Sequence, residues 1–303
     1  MSALAQFIMK GRSQAILVLA SFTILSWLLS LASLLAAAAL ALPTLRRGIK
    51  DGAIVALAAL PVVALAGELL MGSAVQAGGF ALVIWVPVLL VAWVLRSTAS
   101  LSVALLTTVG LGVVSVIGFY LVVDDVAGFW KEQFQVILKP ILEQQMQGAN
   151  DAPVALTIEL FSRYATGSIA AGSVLSVILS LFLARWWQAG LYNPGGFRKE
   201  FLSLTLNKWA AVGLLGFIAL IALTGGEMGV FIANVSLPVF VGFMTAGFSV
   251  VHALCGASPS GRFWLIGLYV ALLFVTPLIL LIALVGISDS WFDWRRRFAD
   301  RKA

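Results

Sequence analysis

Few residues in this sequence could do chemistry. Its 303 residues include one histidine and one cysteine. These two, His252 and Cys255, stand three apart and so share one face of a helix. Imidazole and thiolate both ligate metals, but a metal site takes three or four ligands, and the chain offers no further His or Cys. No metal role is expected; His252 is expected to hydrogen-bond a neighbouring helix, with gating or a proton relay as the sharper alternative. There is no Ser/His/Asp set with supporting context, no pair of acids within one apolar segment and no His-Glu-x-x-His motif. The sequence reads as that of a protein that is not an enzyme and carries no cofactor.

Ionisable groups inside apolar segments are functional candidates by default, because burying a charge in hydrocarbon is costly. Glu68 is the clearest, placed either toward an aqueous cavity or at the interface. With Trp130, Asn234 and His252 it forms a candidate set of cavity residues. Trp130 opens an amphipathic pattern in which Phe134, Ile137, Leu138, Ile141 and Leu142 recur at helical spacing, with Lys131, Glu132, Gln135, Glu143 and Gln144 opposite. Such a helix lies on a membrane surface or caps a bundle as a lid. Asn150-Asp151-Ala152-Pro153 then predicts a helix start, with Asp151 as cap and Pro153 in the first turn.

A second group is aromatic and basic: Arg185-Trp186-Trp187-Gln188, followed by Tyr192-Asn193-Pro194-Gly195-Gly196-Phe197-Arg198-Lys199-Glu200-Phe201. Paired tryptophans beside an arginine belong at the head-group level, and Asn-Pro-Gly-Gly predicts a tight turn. The glycine pair is no phosphate loop, since no Gly-Lys-Ser/Thr follows and no strand precedes. Asp289-Ser290-Trp291-Phe292-Asp293-Trp294-Arg295-Arg296-Arg297 repeats the character at the C-terminal end. Anchoring explains both segments; docking of a cytoplasmic partner or an anionic lipid, through Arg185, Trp186, Trp187, Tyr192, Asn193 and Arg198, is the competing reading.

The elements that must position these residues are membrane helices. Hydrophobic residues make up 61% of the chain and charged ones 11%, against about 25% charged in a soluble domain. Uncharged blocks predict full spans at 52–71, 80–95, 101–123, 167–184, 230–254 (kinked at Pro238) and 263–285. Residues 15–42 form an apolar block of roughly 42 Å if straight, longer than a hydrocarbon core of about 30 Å, so it tilts or breaks near 26–33. Residues 210–223 are short for a crossing. The expectation is an all-α, polytopic transmembrane helical bundle: about six full spans, two short or re-entrant apolar regions and an outer amphipathic helix, forming one integral membrane domain over 1–303. Small residues four apart, Ala32 with Ala36 and Gly52 with Ala56, suit close helix packing, and Gly110, Gly112 and Gly118 thin one span.

Charge sets the predicted sidedness. The segment 185–208 holds Arg185, Arg198, Lys199 and Lys208 against Glu200. The segment 124–164 holds Lys131, Lys139 and Arg163 against Asp124, Asp125, Glu132, Glu143, Asp151 and Glu159. By the positive-inside rule 185–208 is cytoplasmic and 124–164 is outside. Both termini, including the basic tail 288–303, are cytoplasmic if 15–42 crosses an even number of times and 210–223 dips in without crossing; otherwise one end flips. Lipid is the expected environment and a bacterial inner membrane the expected location. The net charge of +6 is clustered at segment ends and offers no nucleic-acid surface. No cleavable signal peptide is evident.

The motifs at 185–201 and 286–295, with the stretch 248–254 around His252, resemble the YybS-like family of bacterial predicted integral membrane proteins. That family is similar, distantly, to the substrate-binding S components of energy-coupling-factor vitamin transporters. The resemblance implies a six-helix bundle with an outward-facing small-molecule cavity and supplies no binding residues. Two functions follow as expectations: a small-molecule binding or carrier protein, or a non-transporting membrane scaffold that meets a membrane or cytoplasmic protein partner through its aromatic-basic face.

Overall fold

A computed structural model describes residues 2–137 and 151–300, and every regular element among them is helical. The helices are α1 (Ser2–Lys10), α2 (Arg12–Leu25), α3 (Ala32–Arg47), α4 (Ile49–Met71), α5 (Ala74–Thr98), α6 (Leu101–Val122), α7 (Val126–Ile137), α8 (Asp151–Tyr192), α9 (Gly196–Leu202), α10 (Lys208–Thr224), α11 (Gly226–Gly256), α12 (Gly261–Phe274), α13 (Leu278–Phe292) and α14 (Trp294–Asp300). Leu138, Ile141, Leu142, Glu143 and Gln144 of the amphipathic pattern, and Asn150, lie outside the described residues.

Five of these helices, α4, α5, α6, α8 and α11, are long and apolar enough to cross a membrane. Only 28% of the apolar window of α4, and the same share of α6, is buried within the protein. Leu57, Leu65, Leu69, Val114, Leu121 and Val122 are among the large apolar side chains left exposed. Apolar surface on this scale is tolerated by lipid and not by water. The chain is a membrane protein.

Where helices break, local chemistry explains it. Of the two alternatives for the apolar block 15–42 it takes the break, between α2 and α3, where Ser26 Oγ donates to Thr23 O and Ser33 Oγ to Ser30 O, each at 2.6 Å. The run 263–285 differs from expectation. It is two helices, α12 and α13, interrupted at 275–277, where Pro277 lacks the N–H that would continue the ladder. The amphipathic outer segment also differs: beyond α7 its last part belongs to α8, an unbroken helix of 42 residues that carries on through the apolar run 167–184. That helix begins at Asp151 with Pro153 in its first turn, while the side chain of Asp151 lies outside the described residues.

The helices form two compact units. The first comprises Met1–Thr108, Leu175–Leu206 and Met244–Ala303. Its centre is α3, buried continuously from Ala36 to Leu45. A helix enclosed on every side needs short side chains, and five of the first six residues of that stretch are alanines, so α2, α4 and α5 all pack against it. Gly52 of the Gly52–Ala56 pair is where α4 meets Thr44 of α3 and Leu89 of α5 too closely for any Cβ. The second unit comprises Val109–Val174 and Asn207–Phe243. Val116 of α6, Ala170 of α8 and Val235 of α11 make its buried core, with Tyr120, Phe217 and Phe231 packed against it. Of the three glycines in α6, Gly112 approaches Val174 and Pro238, whereas Gly110 and Gly118 face open space.

Candidate functional site

The four candidate cavity residues are divided between the two units. Glu68 and His252 belong to the first unit, Trp130 and Asn234 to the second. Glu68 sits at the end of α4, and its Oε2 accepts from the first N–H of α5, that of Ala74, at 2.8 Å. Ser73 Oγ accepts from Gln76 N at 3.2 Å. The two side chains cap α5, an orphan-donor role typical of helix starts, and tie the α4–α5 hairpin.

His252 on α11 has Nδ1 2.8 Å from the carbonyl of Phe248 and Nε2 3.2 Å from the hydroxyl of Tyr269 on α12. A carbonyl only accepts, so Nδ1 carries a proton; in the neutral ring Nε2 then accepts from the tyrosine. The ring also meets Phe201 and Tyr269 edge to face at 5.5 and 5.9 Å. Among the described residues no cluster of three or more His, Cys, Asp or Glu gathers into a metal site.

In the second unit, Trp130 Nε1 donates to Thr166 Oγ1 at 2.8 Å, and its ring stacks on Phe119 and meets Phe129 edge to face. Asn234 is fully buried. Its Oδ1 accepts from Gly167 N at 2.6 Å, and its Nδ2 donates to the carbonyls of Arg163 (2.9 Å) and Val230 (2.8 Å) and to the Tyr120 hydroxyl at 3.2 Å. Gly167 N–H and Arg163 C=O are the pair that an α-helix joins i to i−4. The carboxamide of α11 thus reaches into the backbone ladder of α8 and bridges that pair. Gly167 makes this approach feasible, since a Cβ there would lie 2.6 Å from the backbone of Asn234.

An open site exists elsewhere, at the basic end of the first unit. A cleft of about 540 Å³ is lined by Arg46 at the end of α3, Arg96 and Ala99 at the end of α5, and Arg185, Gln188, Tyr192, Asn193 and Glu200 around the Asn-Pro-Gly-Gly turn. The turn is built as its sequence requires: Gly195 takes φ +82°, and Gly196 N donates to Asn193 O at 3.0 Å. Arg185 fastens it by a forked pair with Glu200, through Nε at 2.8 Å and through Nη2, and Nη1 reaches Gln188 at 3.2 Å. Arg96 Nη1 donates to the carbonyls of Leu45 and Arg46, each at 2.7 Å, closing the end of α3. Arg46 lies over the Tyr192 ring, 4.4 Å from its centroid.

Three guanidinium groups therefore face one carboxylate, and that carboxylate is held by Arg185. Beyond these contacts Arg46 and Arg96 make no ion pair among the described residues, and both are exposed. Ala99, at the cleft wall, is held at φ 50°, ψ 26°, a left-handed conformation that costs a non-glycine residue about 1–2 kcal/mol. Of the candidate docking residues, Arg185, Tyr192 and Asn193 line the cleft; Trp186 and Arg198 are exposed outside it, and Trp187 is buried.

Close by in the same unit, Arg295 of the C-terminal motif is anchored. It donates to Leu204 O at 2.7 Å and Ser249 Oγ at 3.1 Å and pairs with Asp289 at 3.2 Å, side chains 15% and 3% exposed. Asp289 lies beyond the apolar run, and burial pushes its carboxyl above the ordinary carboxylate range against the pull of Arg295. Of the cleft residues, the sequence singles out Arg185, Tyr192 and Asn193 but not Arg46 and Arg96. Nothing in the spacing says that the ends of α3 and α5 meet the Asn-Pro-Gly-Gly turn. Compared with protein families, curated proteins and solved structures, the chain matches none.

Proposed function

We propose that this chain is a multi-pass protein of a bacterial cytoplasmic membrane that binds a small anionic molecule in the cleft beside Arg46, Arg96 and Tyr192. One observation carries the reading: three arginines line a cleft of about 540 Å³ whose single carboxylate is already paired. The volume falls within the 300–1,000 Å³ of small-molecule sites. Guanidinium groups suit carboxylate and phosphate through paired, charge-assisted hydrogen bonds. The positive-inside rule puts this end, with both termini, on the cytoplasmic side. The resemblance to S components implies an outward-facing cavity and so does not support this cytoplasmic cleft; binding rests on the cleft alone. Nothing in the cleft supplies a nucleophile with an adjacent base, so the reading is of a binder and not an enzyme.

The test is thermal unfolding of the full chain in detergent with inorganic phosphate, pyrophosphate, dicarboxylates and nucleotides. A ligand at a hundredfold its dissociation constant stabilises by about 2.7 kcal/mol, which raises the midpoint by roughly 5 °C in a protein of this size. Arg46→Ala removes that rise. Silence across the panel at millimolar concentration overturns the reading. The scaffold alternative would use Trp186 and Arg198, so replacing those two without loss of anion binding separates the surfaces.

A further inference from the structure

Arg96 also lines a second cleft, of about 350 Å³, together with Arg47, Gly48, Ile49, Lys50, Trp93 and Ser97. No carboxylate is among its lining residues. Arg47 is partly committed, donating to Met9 O at 2.7 Å and facing Asp51 at 3.6 Å. Asp51 in turn is held by Arg12. Lys50 is exposed and without an ion-pair partner among the described residues. The cleft therefore presents a net positive charge beside an exposed tryptophan, the pairing found where protein meets head groups.

What distinguishes it from a site for a dissolved anion is the surface that leads away from it. One turn beyond Lys50, α4 exposes Ile54, and Leu57, Pro61 and Leu65 continue that row at helical spacing. On α5, Trp93 itself heads a second exposed row of Leu90, Val86 and Leu82. The two helices are neighbours in one hairpin closed by Glu68 and Ser73. Two apolar rows on adjacent helices thus begin at the mouth of one carboxylate-free basic cleft.

We infer that this cleft holds the head group of an anionic phospholipid whose acyl chains lie along the exposed rows of α4 and α5. The phosphate meets Lys50 and Arg96, Trp93 sits at the level of the glycerol backbone, and the chains cover apolar surface that the protein leaves bare. This site does not depend on the cleft at Arg46, although Arg96 borders both.

The full chain in detergent, exchanged into micelles doped with dioleoyl phosphatidylglycerol or dioleoyl phosphatidylcholine, tests this by native mass spectrometry of retained lipid. The phosphatidylglycerol adduct should persist where phosphatidylcholine is lost. Lys50→Ala should weaken it about fivefold, Trp93→Ala should shorten its retention, and Arg46→Ala should leave it unchanged. All three altered residues are exposed, so folding is preserved. Equal retention of the two lipids, or retention untouched by Lys50→Ala and Trp93→Ala, overturns the inference. Displacement of the lipid by millimolar glycerol phosphate also overturns it, by showing a site for soluble phosphate. Loss of anion-induced stabilisation with intact lipid retention would sink the small-anion reading alone.

Discussion

The Asn234 node and the Arg46–Arg96 cleft are two polar regions of an apolar chain, and they differ in one respect. At Asn234 the carbonyl oxygen and the amide of the side chain are both engaged, and nothing remains to be offered to a ligand. At the cleft Arg46 and Arg96 are only partly used, for structural carbonyls and an aromatic ring, and both residues are exposed. A polar residue among membrane helices is thus a weak sign of binding until its hydrogen bonds have been traced. Asn234 holds helices together; the cleft has capacity to spare.

Substitutions can break this contrast or sharpen it. The largest effect is expected at a third polar site, a buried ion pair: Asp289→Ala leaves the Arg295 guanidinium without its counter-ion and should cost about 3–5 kcal/mol, read by thermal unfolding in detergent. Gly167→Leu drives a side chain into the backbone of Asn234 and should cost about 2–3 kcal/mol by the same measurement. Asn234→Leu removes the bridge more gently, at about 1–2 kcal/mol. Combined with Gly167→Leu it should cost less than the sum of the two, because both remove the same contact. Arg46→Ala should have the smallest effect on stability, within about 0.5 kcal/mol, and yet abolish stabilisation by the bound anion. If Arg46→Ala destabilised the protein as much as Asn234→Leu does, the distinction between a spent and an available polar group would fail.

Much of the architecture could be read from residue order, because lipid writes its demands into long runs. The length of the block 15–42 asks for a tilt or a break, and the chain breaks between α2 and α3. The turn at Asn193-Pro194-Gly195-Gly196 forms through the positive φ of Gly195. The break before Pro277 was less legible: Pro43, Pro61, Pro87 and Pro238 all sit within continuous helices, so a proline in an apolar run does not decide by itself. The length of α8 escaped detection because its first turns are amphipathic and its later ones uniformly apolar, which reads as two elements. The site was legible only in its local half. Arg185 and Glu200 are 15 residues apart, but Arg96 meets Leu45 and Arg46 across 50 or more, a relation that no local pattern records.

The 42 residues of α8 have a consequence for where this protein meets water. At 1.5 Å each they span about 63 Å, while a bilayer with its head groups is about 40–45 Å thick. To hide entirely, the rod would have to lean by about 45°, steeper than the roughly 40° limit seen for such segments. At least one tip must therefore stand clear of the membrane as folded peptide, a handle that a protease or an antibody fragment could reach without dissolving the lipid.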